Sequence, residues 1–229
     1  MSHFLDIDSW NRRSHFHFFK DFEQPFFGLC TDLDVSALYE QSSQGQASSF
    51  FLTSLYLSIQ ASNEIEAFRY RLRDDAVLVH DQIHGSSTVA RDDGTFGFAY
   101  FDFSPDFRRF SEEGSQALAA ARTETGELDP QPDKDDLIHY SVIPWVRFTG
   151  LLHARRVPAE DSVPKIVFGK HHLRDGTRRM PISIEAHHAL MDGLEVGQFL
   201  ERFQELLNDP PTQGDTNPVS MPESSRVVG

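Results

Sequence analysis

Apolar residues recur along the chain with a helical spacing in several segments. Within residues 48–63 and 106–122 they lie three or four positions apart, as on one face of an amphipathic helix. The same spacing over 196–207 predicts a final helix. Asp34 is placed to cap a shorter helix that begins with residues 35–39.

Strand-like runs lie between these helices. They are short, rich in β-branched and aromatic residues and bounded by turns, and they cover residues 26–33, 76–80, 87–90, 95–101, 138–148, 165–169 and 180–188. Asp175-Gly176 predicts a hairpin turn before the last run, whereas 124–136 is a predicted loop. Strands outnumber helices without regular alternation. This pattern favours a two-layer α/β sandwich with a mixed β-sheet flanked by helices.

Length and composition narrow the class of protein. The 229 residues fit a single domain over 1–208, and the aperiodic residues 209–229 are expected to form a flexible C-terminal tail. A formal net charge of −14 argues against nucleic acid as a partner, because phosphates require a basic face. We expect no membrane span, no leader segment and therefore a cytoplasmic protein. The lone Cys30 excludes an internal disulfide and cysteine-rich metal sites, and no metal is expected.

The most distinctive chemistry lies in the segment His187-His188-x-x-x-Asp192-Gly193, between the last predicted strand and the last helix. Because strand side chains alternate, His188 follows the apolar face that carries Ala186, and His187 lies on the opposite face. Partial removal from water favours a neutral imidazole at position 188, and a neutral imidazole can accept a proton from an alcohol. The alternatives are a packed core histidine or a metal-binding pair. The opposite directions of the two imidazoles argue against the pair.

The pattern His-His-x-x-x-Asp-Gly resembles the signature of the chloramphenicol acetyltransferase superfamily, which also contains dihydrolipoyl acyltransferases and peptide-synthetase condensation domains. Further segments resemble chloramphenicol acetyltransferases in the same order, namely 10–19, 74–79, 95–96, 141–146 and 168–170. The likeness extends from about Phe4 to Leu207, and the chain is too short for a condensation domain. The resemblance implies the CoA-dependent acyltransferase fold. It also implies direct transfer of an acetyl group from acetyl-CoA to the 3-hydroxyl of chloramphenicol.

The resemblance implies catalytic roles for four residues. His188 would be the general base, and the Ser141 hydroxyl would donate a hydrogen bond to the tetrahedral oxyanion. Asp192 would form an ion pair with Arg12 that holds the turn carrying the base. An acid at the helix N-terminus is the simpler interpretation of Asp192, and the two interpretations are compatible.

The resemblance also implies binding surfaces and an assembly. The acceptor pocket would include Phe18, Phe19, Phe96 and Leu151, and coenzyme A would pass Phe51, Trp145 and Lys170. Core packing is a rival interpretation for the acceptor residues, and a solvated surface charge is a rival for Lys170. The family forms homotrimers with the active site between subunits, so His188 of one subunit would face the pocket of its neighbour.

Two departures from the family pattern leave the acceptor open. Val167 replaces a threonine that helps to order the oxyanion site, and His153 replaces a leucine of the acceptor pocket. One alternative is therefore an acyltransferase of the same mechanism acting on another hydroxylated small molecule. A non-catalytic trimeric relative that binds coenzyme A is a second. A multienzyme acyltransferase core is disfavoured, because such chains carry lipoyl and linker segments before the catalytic domain.

Overall fold

A computed structural model describes residues 2–45, 49–128, 130–131, 133–155 and 161–212. The helices in these ranges are α1 (Arg13–Phe19), α2 (Ser36–Ser43), α3 (Phe50–Glu64), α4 (Phe107–Thr123) and α5 (Gly193–Asn208), with a 3₁₀ helix at Glu66–Arg69. The strands are β1 (Ser2–Phe4), β2 (Phe26–Asp34), β3 (Tyr70–Arg73), β4 (Ala76–His80), β5 (His84–Ala90), β6 (Phe96–Phe101), β7 (Leu137–Ile143), β8 (Lys165–Gly169), β9 (His172–Arg174) and β10 (Thr177–His187).

A mixed sheet forms the centre of the described part of the chain. Its order is β2-β10-β8-β7-β5-β6, and β9 pairs with the first residues of β10. β7 runs parallel to β5 and β8, whereas the other neighbours are antiparallel. A smaller antiparallel sheet has the order β1-β4-β3. The predicted α/β sandwich with a mixed sheet flanked by helices is therefore confirmed.

The two faces of the large sheet have different coverings. On the first face, Ile184 of β10 and Tyr140 of β7 are fully buried, and the Tyr140 hydroxyl lies 2.9 Å from Ser58 Oγ of α3. On the second face, residues 144–155 cross the sheet. We call this segment the strap. Its Phe148 lies so close to Gly169 that a Cβ there would be 2.9 Å from the phenyl ring. The first face is thus the helix-packed core.

Register places the polar residues of the second face in rows. Ser141 of β7 pairs with Val167 of β8, which pairs with Ser183 of β10. The neighbouring row on the same face contains His139, Lys165 and Glu185. The alternation predicted for the last strand is therefore present, and it extends to the strands beside it.

Some predicted boundaries differ from the observed ones. The strand predicted over 138–148 ends at Ile143, because Pro144 has no N–H to continue a ladder and a turn begins there. The Asp175-Gly176 hairpin is confirmed, with φ of 50° and 78° as in a type I′ turn. The first residues of the predicted tail pack against α2, where Gln41 Nε2 donates to the Pro210 carbonyl at 2.9 Å. Residues 213–229 lie outside the described ranges.

No helix in the described residues is both long and apolar enough to cross a bilayer.

Candidate active site

His188 lies in a turn, residues 188–191, that joins β10 to α5. β10 ends at His187, and the His188 backbone N–H donates to the Pro25 carbonyl at 2.8 Å. The Met191 N–H donates back to the His187 carbonyl at 3.2 Å. The side chains that follow are fully buried, namely Ala189, Leu190 and Met191. They anchor the turn in the core, while the His188 imidazole stays half-buried.

Asp192 caps α5 and also binds Arg12. Its Oδ1 accepts from the Leu194 N–H at 2.9 Å, and Glu195 accepts from the Asp192 N–H at 2.8 Å, which completes a capping box. The Arg12 guanidinium contacts Asp192 Oδ2 and donates to the His188 carbonyl at 3.2 Å. The Leu194 N–H and the Arg12 guanidinium lower the pKa of Asp192. Arg12 therefore ties the start of α1 to the backbone of the turn.

Aromatic rings and one hydrogen bond fix the His188 imidazole. The Phe19 ring of α1 stacks on it with centroids 4.1 Å apart and planes 14° apart. The Phe27 ring of β2 lies 4.7 Å away at 45°. Nδ1 is 3.3 Å from the Met191 carbonyl oxygen, and a carbonyl can only accept, so Nδ1 carries the proton. Nε2 is then the basic nitrogen, and it hydrogen-bonds to no described residue.

Ser141 lies away from this turn, in a cavity of about 1000 Å³ on the second face of the sheet. Thr88 Oγ1 of β5 donates to Ser141 Oγ at 3.3 Å. Thr88 was not among the predicted site residues, although a hydroxyl residue within the predicted strand 87–90 was a usable signal. Val167, the departure beside Ser141, is fully buried. Among the described neighbours, the hydroxyl that contacts Ser141 is therefore the one of Thr88.

His188 and Ser141 do not meet within one chain. Ser141 lies two strands from Ser183, and His188 is five residues beyond Ser183 along the chain. With strands about 4.8 Å apart and a rise of about 3.3 Å per residue, the Cα atoms of His188 and Ser141 are about 19 Å apart. The geometry thus brings together Arg12, Asp192 and His188, and it leaves Ser141 in a separate cavity.

The residues predicted for the acceptor pocket fall in three places. Phe18 is exposed and packs edge-on against Phe19 at 4.9 Å, so both lie beside the His188 turn. Phe96 is exposed at the start of β6, and Leu151 is half-buried on the strap. Phe98 lines the Ser141 cavity, whereas Phe96 and Leu151 are not among its lining residues.

Two of the residues predicted for coenzyme A lie on segments that a backbone hydrogen bond joins. The Lys170 backbone N–H donates at 3.0 Å to the carbonyl of Val146, the strap residue that follows Trp145. The Trp145 side chain is 72% exposed, and Lys170 is exposed as well. Phe51 is half-buried on α3 and packs against Phe101 with centroids 6.2 Å apart.

Glu185 is a buried carboxylate of the second face that the sequence analysis did not assign to the site. It is 3% exposed. Its Oε1 accepts from the backbone N–H and the Nδ1 of His153 at 2.9 and 2.7 Å, and its Oε2 accepts from Arg155 at 2.8 Å. Burial opposes ionisation, but these hydrogen bonds lower the pKa of Glu185 to about 2. A charged residue between the apolar residues Ile184 and Ala186 was the signal for it.

His139 is a further titratable residue of the cavity. Its Nδ1 lies 2.7 Å from Ser86 Oγ. Burial, together with the nearby Lys165 charge, lowers the pKa of His139 to about 4, so its imidazole is neutral near pH 7. The described residues contain no group of three or more metal-ligating side chains that could hold an ion. Hydroxyl, imidazole and charged groups line the cavity around Ser141.

The chain is similar to known proteins over most of its length. A family model described as chloramphenicol acetyltransferase matches residues 2–204. Chloramphenicol acetyltransferase 3 of Escherichia coli is 26% identical over 205 residues, which cover 89% of this chain and 96% of that protein. A solved structure of a chloramphenicol acetyltransferase is 28% identical, with a TM-score of 0.81, and the match covers 90% of this chain and 100% of that one.

A more distant structure shows the fold alone. A probable dihydrolipoamide acetyltransferase from Listeria monocytogenes is 15% identical with a TM-score of 0.60, over 86% of this chain and 89% of that one. The predicted CoA-dependent acyltransferase fold and the predicted enzyme class, an acyltransferase, are confirmed. Because the family model matches nearly the whole length, the chain belongs to the chloramphenicol acetyltransferase family.

Proposed function

We propose that the protein transfers the acetyl group of acetyl-CoA to the 3-hydroxyl of chloramphenicol, with His188 as the general base. Nε2 of His188 takes the hydroxyl proton while the oxygen attacks the thioester carbonyl carbon. The tetrahedral intermediate then expels the CoA thiolate, which receives the proton from the imidazolium. The observation that carries this proposal is the hydrogen bond from Nδ1 to the Met191 carbonyl, because it leaves the Nε2 lone pair free.

Ser141 is the residue that we assign to the oxyanion. Negative charge develops on the thioester oxygen in the transition state, and one well-placed donor stabilises it by about 3–4 kcal/mol. Thr88 Oγ1 donates to Ser141 Oγ and so occupies an acceptor position of the serine. The Ser141 proton then remains available for the oxyanion.

The complete site forms between subunits of a homotrimer in this proposal. A base and an oxyanion donor must act on one tetrahedral centre, and the separation of about 19 Å within a chain is too large for that. The His188 turn of one copy would therefore face the Ser141 cavity of the next. Arg12 and Asp192 act as positioning residues that hold the turn.

Acetyl-CoA is the proposed co-substrate. Trp145 and Lys170 are both exposed and lie on segments that the Lys170–Val146 backbone hydrogen bond joins. An indole can pack on the nucleotide, and an ammonium group can pair with a phosphate. Phe51 on the coenzyme A side keeps its predicted binding role, as do Phe18, Phe19, Phe96 and Leu151 on the acceptor side. The cytoplasmic location predicted from the sequence belongs to the same proposal.

Thiol release from acetyl-CoA tests the acceptor. Wild-type protein with chloramphenicol is expected to release CoA and to form the 3-acetyl ester. Absence of product, with release on another alcohol, would replace chloramphenicol by a different hydroxylated acceptor. The imidazole of His153, which Glu185 holds, favours that second candidate, because it adds polarity to the cavity.

Mixing two inactive variants tests the shared site. His188→Ala and Ser141→Ala subunits, unfolded together and reassembled in equal amounts, are expected to regain about one quarter of the wild-type activity. Each site combines His188 of one subunit with Ser141 of the next subunit. Random assembly therefore makes both residues intact in about one site of four. Each variant treated alone is the control. A mixture no more active than its components would contradict a site shared between copies.

A further inference from the structure

We infer that His153, held by Glu185, determines acceptor specificity by binding a second hydroxyl at the end of the acceptor distal to the transferred group. The inference rests on the proposed acyl transfer and concerns the same cavity. It assigns a role to a side chain that the transfer chemistry itself does not require.

The contacts of His153 fix both its backbone and its ring. The backbone N–H and Nδ1 donate to the same carboxylate oxygen, Glu185 Oε1, at 2.9 and 2.7 Å. Because Glu185 stays ionised, Nδ1 carries a proton, and Nε2 lies on the other edge of the ring. Nε2 forms no hydrogen bond to the described residues, and His153 lines the cavity that contains Ser141. The ring therefore offers one uncommitted polar atom in a preset direction.

Arg155 makes this support rigid. Its guanidinium donates to Glu185 Oε2 at 2.8 Å and lies over the Phe26 ring at 3.3 Å from the centroid. The carboxylate is thus fixed on both oxygens and cannot turn toward a ligand. Of the His153–Glu185 pair, the residue that lines the cavity is His153, whose side chain is 21% exposed. A polar group that is held in one orientation before binding loses little conformational entropy when a ligand binds. A matching hydroxyl is therefore bound more tightly.

The position of the pair identifies the part of the acceptor. Glu185 and Ser141 lie on the same face, in neighbouring rows and two strands apart, so their Cα atoms are about 12 Å apart. An acceptor hydroxyl that reacts near Ser141 leaves the other end of a drug-sized molecule toward His153. A hydroxyl can donate or accept, so it pairs with Nε2 in either protonation state of the ring. An apolar end would leave Nε2 without a partner.

Matched acceptors give the test. We would compare two chloramphenicol analogues in which the nitro group of the aryl ring is replaced by hydroxymethyl or by methyl. In wild-type protein we expect the hydroxymethyl analogue to have a roughly tenfold higher kcat/KM, the effect of one hydrogen bond. His153→Leu should abolish or invert this ratio, and His153→Gln should restore part of it. Glu185→Gln should weaken it, because the ring loses its carboxylate partner.

The control variant is His139→Asn, which changes another imidazole of the cavity that Glu185 does not contact. It should leave the ratio unchanged. A ratio that His153→Leu does not alter, or one that His139→Asn removes instead, overturns the inference.

Failure of the proposed acetyl transfer can be distinguished from failure of the role assigned to His153. If wild-type protein acetylates neither analogue, calorimetric binding of the two analogues to wild-type and His153→Leu protein supplies the same ratio. A preference lost only in His153→Leu then supports the inference without the transfer reaction. Equal binding, or no binding of either analogue, overturns it.

Discussion

The His188 turn and the Ser141 cavity, the two halves of the proposed site, are built in opposite ways. The turn is largely apolar, and its imidazole contacts two phenylalanine rings, while the Arg12–Asp192 ion pair holds the backbone. The cavity is polar, and hydroxyl, imidazole and carboxylate groups from several strands and the strap surround Ser141. The turn, α1 and the start of β2 create the first region, whereas the second requires β5, β7, β10 and the strap together.

This difference separates chemistry from specificity. The turn presents one basic nitrogen in a fixed direction, and that nitrogen can take the proton of any alcohol that reaches it. The cavity contributes one donor to the reaction, and His153 is the polar residue in it to which we assign acceptor recognition. Substitutions in the turn should therefore reduce kcat for every acceptor, whereas substitution of His153 should change the preference among acceptors.

The largest effect is expected from removal of the general base. His188→Ala should lower kcat by about 10²–10⁴-fold, because general base catalysis is lost, while KM for acetyl-CoA changes little. Thiol release under saturating substrates measures this, and His15→Ala, which removes an exposed histidine of α1, is the matched control. A His188→Ala variant that keeps more than a tenth of the wild-type kcat would contradict the assigned role.

The oxyanion donor should have the next largest effect. Ser141→Ala is expected to lower kcat by about 10²–10³-fold through loss of one hydrogen bond in the transition state. Thr88→Val removes only the neighbouring hydroxyl and preserves shape, so it should cost less. Steady-state kcat values decide the order. Equal losses in the two variants would show that the pair of hydroxyls acts as one unit.

A smaller effect is expected from Asp192, which positions the His188 turn and takes no part in the transfer step itself. Asparagine caps a helix about as well as aspartate, so Asp192→Asn removes the charge that pairs with Arg12 and keeps the cap. We expect kcat to fall by roughly tenfold, the effect of about 1.4 kcal/mol in the transition state. Urea denaturation should show little change for this variant and a further loss of about 1 kcal/mol for Asp192→Ala. A kcat unchanged in both variants would exclude the positioning role.

The smallest expected effect is the pH dependence of the stability that the Glu185 carboxylate contributes. The folded pKa of Glu185, about 2, lies below its usual 4.5, so its stabilising contribution is full above pH 4.5 and is lost as the pH falls toward 2. The difference in urea midpoint between wild type and Glu185→Gln should therefore be largest near neutral pH and shrink in acid. The half-buried His139 and the buried His187 are present in both proteins, so their titration cancels. A difference that is constant with pH would contradict an ionised Glu185.

Much of the fold followed from the sequence because local patterns carry it. Helical spacing located α3, α4 and α5, alternation placed Ile184 and His187 on opposite faces, and Asp175-Gly176 marked a hairpin. The strand predicted through residue 148 was too long, because the strap also contains apolar residues. The short, aromatic α1 was not assigned as a helix, since its Phe16, Phe18 and Phe19 fit several structures locally.

The sequence alone determined the segment that carries His188, Asp192 as the first residue before a helix, and the residues available for acyl transfer. These features depend on residues that are close in sequence. Within one strand, turn or helix, the backbone geometry makes the spacing of residues determine the direction of their side chains. Only the tertiary structure decided that Thr88 contacts Ser141, that Glu185 holds His153, and that His188 and Ser141 are about 19 Å apart in one chain. Those relations depend on strand order and register, which are set by the packing of residues far apart in the chain.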